Sequence, residues 1–313
     1  KRPVRRAVRL AWMGPDFEDI FAGAGCAGSI HAVRLVDGAE LGHDPDRTSV
    51  SASVVKVPIG LAFYAEADSG VIDPARQVVI DSTNRTFGAT GLSRFQDPAT
   101  VSLRDLAYLM LTISDNAATE IIRSTVGRDT INRRLAGIGC HATVVVDFRA
   151  LLDGVAAELG FADYPELLVA QRGELGPDAQ ARSTDQDKID ACRALDPDQT
   201  NRTTARDSTR LLAAVWSDKA ASPAACANLR STMAEQVTRR FLRVVPPGGK
   251  LAAKSGALFG RVTNEIGVVT YSDGGAFAVA VFTRAEAPFQ NQPRINAAMA
   301  QAAALAVERL HSG

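Results

Sequence analysis

Ser53-Val54-Val55-Lys56 is the stretch from which the rest of this chain can be read. The run from Val54 to Ala67 is rich in helix formers, Pro58 falls in its first turn, where a missing N–H costs little, and Gly70 closes it. A serine opening such a helix holds its hydroxyl and N–H near the positive helix end, and a lysine three residues on shares its face. A free hydroxyl is a poor nucleophile at neutral pH and needs a neighbouring base. A lysine in a dry, cation-rich cleft has a lowered pKa and can accept that proton. The plainer reading is a capping serine followed by a solvated lysine. Two further stretches, Ser114-Asp115-Asn116 and Lys254-Ser255-Gly256, each show their pattern once. Alone, the first suits an Asx turn at a helix end and the second a lysine guarding an edge strand.

In this order the three stretches form the S-x-x-K, S-D-N and K-[ST]-G set. From about Gly25 to the C-terminal helix the chain resembles class A β-lactamases and their penicillin-recognising relatives. The resemblance implies a serine hydrolase working through an acyl-enzyme on β-lactams or related acyl compounds. It implies that Ser53 is the nucleophile, Lys56 its base, and Ser114 a proton carrier to the leaving group. Asn116 would hydrogen-bond a substrate acylamide, and Asp115 would pin the turn. Lys254 would offer a fixed charge to a substrate carboxylate and to the Ser114 hydroxyl, and Ser255 would donate to the same carboxylate. Gly256 would let substrate lie close to the strand, and the Ala257 N–H would complete an oxyanion hole with that of Ser53. No cofactor and no metal is implied.

Two departures stand out. Class A enzymes release the acyl group with water activated by a glutamate in Glu-x-x-Leu-Asn. The nearest echo here, Tyr164-Pro165-Glu166-Leu167-Leu168, puts a tyrosine in that place, and the alternative register from Asp147 to Asp153 holds no glutamate. A tyrosine with its ordinary pKa near 10 is a weak base at neutral pH, so slow deacylation is expected. Thr263 stands where family members often carry a carboxylate-binding arginine, and Arg261 is the nearest substitute. The wide gap between the second and third motifs also resembles the β-lactamase-like domain of the cephalosporin-esterase-type protein of clavulanic acid clusters. That domain follows an N-terminal domain, which the Met-less start at Lys1 would fit. Other activities stay open: an esterase (for example of cephalosporin esters), a transacylase, a D-Ala-D-Ala peptidase, or a β-lactam-binding protein without turnover.

The remaining pattern predicts an α+β fold, β-lactamase/transpeptidase-like, in one domain over residues 1–313. A short helix over 15–24 precedes a strand from Cys26 to Val36, an Asp37-Gly38 turn and a return strand to His43. Residues 81–100 read as loop beside the site. Helices follow over Ser102–Ile113, opened by a capping box with Asp in place of Glu, then Ala117–Thr125 and Asp129–Ala136. An enlarged active-site loop over about 140–202 carries helical patterns at Leu151–Leu159, Tyr164–Ala170 and Asp185–Ala194. It suits a lid, an insertion packed over the cleft or an oligomer contact. Helices to Trp216 and over Pro223–Glu235 precede three strands at Lys250–Ser255, Val262–Tyr271 and Ala276–Thr283, and an Ala-rich helix from Asn291 to Leu310. Both chain ends would thus build one antiparallel sheet in a lobe of about 15–50 and 236–313, against a helical lobe of about 51–235.

Acidic and basic residues balance at 35 each, which gives no reason to expect a nucleic acid or membrane partner, and no apolar run reaches the length of a membrane span. The partner expected is a small acyl substrate. Cys26, Cys140, Cys192 and Cys226 are widely spaced, without C-x-x-C, and read as buried thiols, with one or two disulfides left open. The basic start, Lys1 to Arg6, has no apolar signal core behind it, so a processed secreted form and a chain lacking an upstream domain both fit.

Overall fold

The computed structural model describes residues 16–238 and 248–312; Pro15 and the basic start at Lys1 to Arg6 lie outside these. Helix α1 (Phe17–Gly23) starts at Asp16, whose carboxylate accepts the Asp19 N–H at 2.9 Å, and ends before Gly25 at φ 75°. Strands β1 (Cys26–Arg34) and β2 (Glu40–His43) form the expected hairpin around Asp37-Gly38. After β3 (Ser49–Val50), a 3-10 turn over Ala52–Val55 leads directly into α2 (Lys56–Asp68). The helix containing Pro58 is thus as expected, but Ser53 belongs to the tighter turn before it.

The stretch read as loop to Thr100 contains more order than its polar composition suggests. Strands β4 (Gln77–Ile80) and β5 (Ala99–Ser102) pair antiparallel, so Ala99 and Thr100 are strand residues. Helix α3 (Leu103–Thr112) is capped by Ser102, whose hydroxyl accepts the Asp105 N–H and donates to its carboxylate at 2.6 Å. Helices α4 (Asn116–Val126) and α5 (Arg128–Gly137) follow. The enlarged segment holds α6 (Phe148–Glu158), α7 (Tyr164–Gln171), α8 (Pro177–Ser183) and α9 (Gln186–Ala191). Of these, α8 has a polar sequence that gave no periodic signal. Strand β6 (Arg202–Thr203) pairs with β3, and α10 (Ala205–Trp216), α11 (Pro223–Ala234), β7 (Lys250–Leu258), β8 (Val262–Thr270), β9 (Ala276–Ala285) and α12 (Gln292–Ser312) complete the chain.

Five strands form one antiparallel sheet in the order β2-β1-β9-β8-β7, so the N-terminal hairpin is hydrogen-bonded to the C-terminal strands. Alternation along these strands sends apolar side chains to both faces. One face, with Ile266, Val268 and Phe282, packs on α2, α3, α4, α10 and α11; the other, with Val279 and Val281, packs on α1 and α12. This is the α+β, β-lactamase/transpeptidase-like arrangement. A third apolar cluster lies under the enlarged segment, where Val155, Leu159 and Leu167 meet Val50 and Val262. The ion pair of Asp190 with Arg261 and the Arg284 bond to the Leu195 carbonyl (2.8 Å) tie this segment to the sheet. All four cysteines are free and buried. No described helix is long and apolar enough to cross a membrane.

Candidate active site

The turn before α2 decides how Ser53 and Lys56 meet. In a 3-10 turn side chains at i and i+3 eclipse, and the Lys56 N–H bonds back to the Ser53 carbonyl. The turn thus sets both residues on one side of the chain. Ala52, just before Ser53, is held at φ 47°, a left-handed conformation that a side-chain-bearing residue seldom adopts. Ser114 is held in the same way at φ 63°. That conformation turns both its carbonyl and its hydroxyl toward Lys56, which reaches them at 2.6 and 3.0 Å. The third partner of the Lys56 amine is the Asn116 Oδ1 at 2.8 Å.

All three partners are neutral oxygens. Burial first, and the charge of Lys254 second, hold the Lys56 amine well below its ordinary pKa, against a weaker opposite pull from Asp115. A neutral amine has two N–H groups and one lone pair. The Ser114 carbonyl and Asn116 Oδ1 only accept, so they take both N–H groups and leave the lone pair for a proton. Lys254 Nζ approaches that same Ser114 hydroxyl at 3.1 Å and also donates to the Ser255 carbonyl at 2.9 Å. Ser114 Oγ thus bridges two lysine nitrogens. Among the sequence-derived residues the geometry brings the Lys56, Ser114, Asn116 and Lys254 side chains together, and Ser53 joins them through the turn that ends at Lys56.

Asp115 is fully buried and pins the turn: its carboxylate accepts from the Leu92 N–H (2.5 Å), the Ser93 hydroxyl (3.1 Å) and the Ala118 N–H (3.0 Å). Asn116 Nδ2 donates to the Phe87 carbonyl at 3.0 Å, so its amide already serves the protein at both ends. Gly256 makes room for the turn that carries Ser53. A Cβ there would stand 3.0 Å from the Ser53 nitrogen and 3.1 Å from the Ser51 carbonyl, so the missing side chain is what lets β7 touch the nucleophile turn. The Ser255 N–H points off the open edge of β7, and in an antiparallel pair Ala257, two residues on, points its N–H the same way. The Ala257 N–H therefore points off the same edge as that of Ser255.

Two positioning residues were missed in the sequence. Gln236 Oε1 accepts the Ser255 N–H at 2.7 Å and holds the β7 edge. Asn264, fully buried, donates to the Val50 and Ser51 carbonyls at 2.8 and 3.2 Å, anchoring the chain just before Ser53 to the sheet. The signal for Asn264 was present as Thr263-Asn264-Glu265, a polar triplet in an otherwise apolar strand.

Arg261 does not replace the absent arginine. Its guanidinium is bound by the Asp190 carboxylate and the Ala285 carbonyl (3.1 Å), and Thr263 donates to Gln292 Oε1 (3.1 Å). The candidate deacylation groups also have structural duties. Asp147 caps α6 and pairs with Arg123 at 3.1 Å, Asp153 accepts the Tyr164 N–H at 3.2 Å, and Glu166 accepts the Ala162 N–H at 2.6 Å. Burial raises the Tyr164 phenol above its ordinary pKa, which makes it a poorer base source at neutral pH.

A family model described as "Beta-lactamase enzyme family" matches residues 15–310. The chain is 33% identical over 312 residues to "Beta-lactamase regulatory protein BlaB" of Streptomyces cacaoi, covering 94% of this chain and 96% of that protein. In fold it is similar to a point mutant of PBP-A solved as an acyl-enzyme complex with penicillin G, with a TM-score of 0.72 and 20% identity over 95% of each chain. It is similar to a β-lactamase from Sphaerobacter thermophilus, with a TM-score of 0.71 and 24% identity over 94% of this chain and 97% of that one.

Proposed function

The chain belongs to the β-lactamase enzyme family, and on that footing we propose that it reacts with β-lactams or related acyl compounds through an acyl-enzyme on Ser53 that is released slowly. The observation that carries this reading is the buried Lys56 amine, held below its ordinary pKa with neutral oxygens as its hydrogen-bond partners. Such an amine takes the proton of the Ser53 hydroxyl, three residues back along the chain, as Oγ forms its bond to the substrate carbonyl carbon. The carbonyl oxygen gathers negative charge between the N–H groups of Ser53 and Ala257. The C–N bond then breaks, Ser114 gives its hydroxyl proton to the leaving nitrogen, and Lys56 returns a proton to Ser114. Lys254 keeps that hydroxyl oriented and, with Ser255, meets a substrate carboxylate. Asn116 marks the acyl side.

Release needs a further base aimed at water on the open face of the acyl carbonyl. Asp147, Asp153 and Glu166 are held by helix caps, backbone N–H groups and Arg123, so none is poised for it. The expected outcome by intact-mass spectrometry is a benzylpenicillin adduct within seconds that persists for minutes, absent in Ser53→Ala with its circular dichroism unchanged. Rapid turnover with no adduct would sink slow release, and undiminished labelling of Ser53→Ala would sink the nucleophile.

A second reading, a β-lactam-responsive regulator, is favoured by the similarity to a regulatory protein. A long-lived acyl-enzyme would then be the signalling state, and catalytic turnover of chromogenic cephalosporins and p-nitrophenyl esters would be absent.

A further inference from the structure

Next to Asn116, a cavity of about 610 Å³ opens between the 82–96 stretch and the enlarged segment. It adjoins the site: the Phe87 carbonyl in its wall accepts from Asn116 Nδ2, and the Ser93 hydroxyl in its wall donates to Asp115. The charge on its walls is lopsided. Three guanidiniums, Arg85, Arg94 and Arg172, face it against one carboxylate, Glu174, in a chain whose acidic and basic residues balance. Arg172 is paired with Glu174. Arg85 directs its guanidinium to the Phe95 and Asp97 carbonyls, both at 2.6 Å, which orders the wall without neutralising its charge. Arg94 lines the cavity and is exposed, beside a half-exposed Phe95. Phe87 and Phe95 add apolar surface between these cations.

The geometry points to an acyl-side subsite for groups that carry both an aromatic or aliphatic body and a carboxylate, with Arg94 as its main anion partner. This rests on the acyl-enzyme reading, because the cavity selects substrates only if their acyl group extends past Asn116. A guanidinium answers a carboxylate with paired N–H donors, and aromatic walls take the body of the group.

Two penicillins that differ by one side-chain carboxylate, α-carboxybenzylpenicillin and benzylpenicillin, test it. The second-order acylation constant of the wild type, followed by intact mass, should favour the carboxylated compound by about three- to tenfold. In 1 M salt the preference should shrink. Arg94→Ala should bring the ratio near one, Arg94→Glu should invert it, and Glu174→Gln should enlarge it by releasing Arg172. Arg94 is exposed, so these variants are expected to fold. Equal constants in the wild type, or a ratio unchanged in Arg94→Glu, overturn the subsite and leave the acyl-enzyme reading intact. If neither compound forms an adduct, the acyl-enzyme reading fails, and calorimetric binding of both compounds to Ser53→Ala then decides the subsite: a carboxylate preference supports it and equal affinity overturns it.

Discussion

Lys56 shows how one residue's environment can set a reaction's pH dependence. Its ammonium is disfavoured by burial and by Lys254, so the amine becomes available as base well below the ordinary lysine range. The acylation rate should therefore rise with pH through that lowered pKa and then level off. Lys56→Arg stays protonated at every accessible pH and should lose about 10²–10⁴-fold in acylation along with the rising limb. Stopped-flow acylation between pH 5 and 9 measures both, and an unchanged pH profile in Lys56→Arg would remove the lysine from the base role. The same shift has a cost in stability. Below the unfolded lysine value the unfolded chain binds a proton that the folded chain holds less readily, so this cost shrinks as pH rises toward 10.5.

At the scale of elements, the contact between β7 and the 3-10 turn would govern the oxyanion spot of the proposed acylation. Gly256 lets the strand approach until a Cβ would be 3.2 Å from the Ala52 Cβ and closer still to the Ser53 nitrogen. Gly256→Ala should push the turn away by a few tenths of an ångström. Overpacking of this kind costs about 1–3 kcal/mol in stability, and displacing one oxyanion donor lowers acylation by about 10²-fold or more. Thermal melts read alongside labelling rates check it; a variant that labels at the wild-type rate would show that the Ser53 N–H is not used. Asn264 supports the same turn from the sheet, holding the Val50 and Ser51 carbonyls.

At the scale of the molecule, the sheet is joined to α10 through a buried histidine. His31 Nδ1 lies 2.6 Å from Thr209 Oγ1, and that hydroxyl donates to the Arg206 carbonyl, so Nδ1 carries the proton. The other nitrogen faces Arg206 at 3.3 Å, with Glu40 at 3.4 Å. Burial, then Arg206, lower the His31 pKa to about 4; Glu40 and Asp46 oppose this and Arg210 adds to it. Between pH 6.5 and about 4 the unfolded chain binds a proton that the folded chain does not, so stability is lost as pH falls through that window. The loss should be on the order of 3 kcal/mol. His31→Gln should flatten this part of the stability curve, measured as melting temperature against pH. An equally steep acid limb in the variant would place the sensitivity elsewhere.

The local devices were legible in the sequence because they depend on residues a few positions apart. Asp37-Gly38 gave its hairpin, Ser102-Leu103-Arg104-Asp105 its cap, and Gly25 its helix end. The three motifs, in order, also indicated the fold and the contacts among Lys56, Ser114, Asn116 and Lys254. What lay beyond the sequence depends on partners far along the chain. Arg261 looked like a spare carboxylate binder until Asp190, seventy-one residues away, was found against it. Gly256 gives room to Ser51 and Ser53, and β4 pairs with a β5 hidden in a polar stretch. The cavity next to Asn116 exists because the enlarged segment buries its own apolar cluster against Val50 and Val262 and brings Pro165, Arg172 and Glu174 to face the 82–96 stretch. Local sequence determines backbone conformation and the type of chemistry each residue can do. Which groups neutralise, crowd or orient one another is set by non-local packing, and here that packing decided the charge, the strain and the shape of the site.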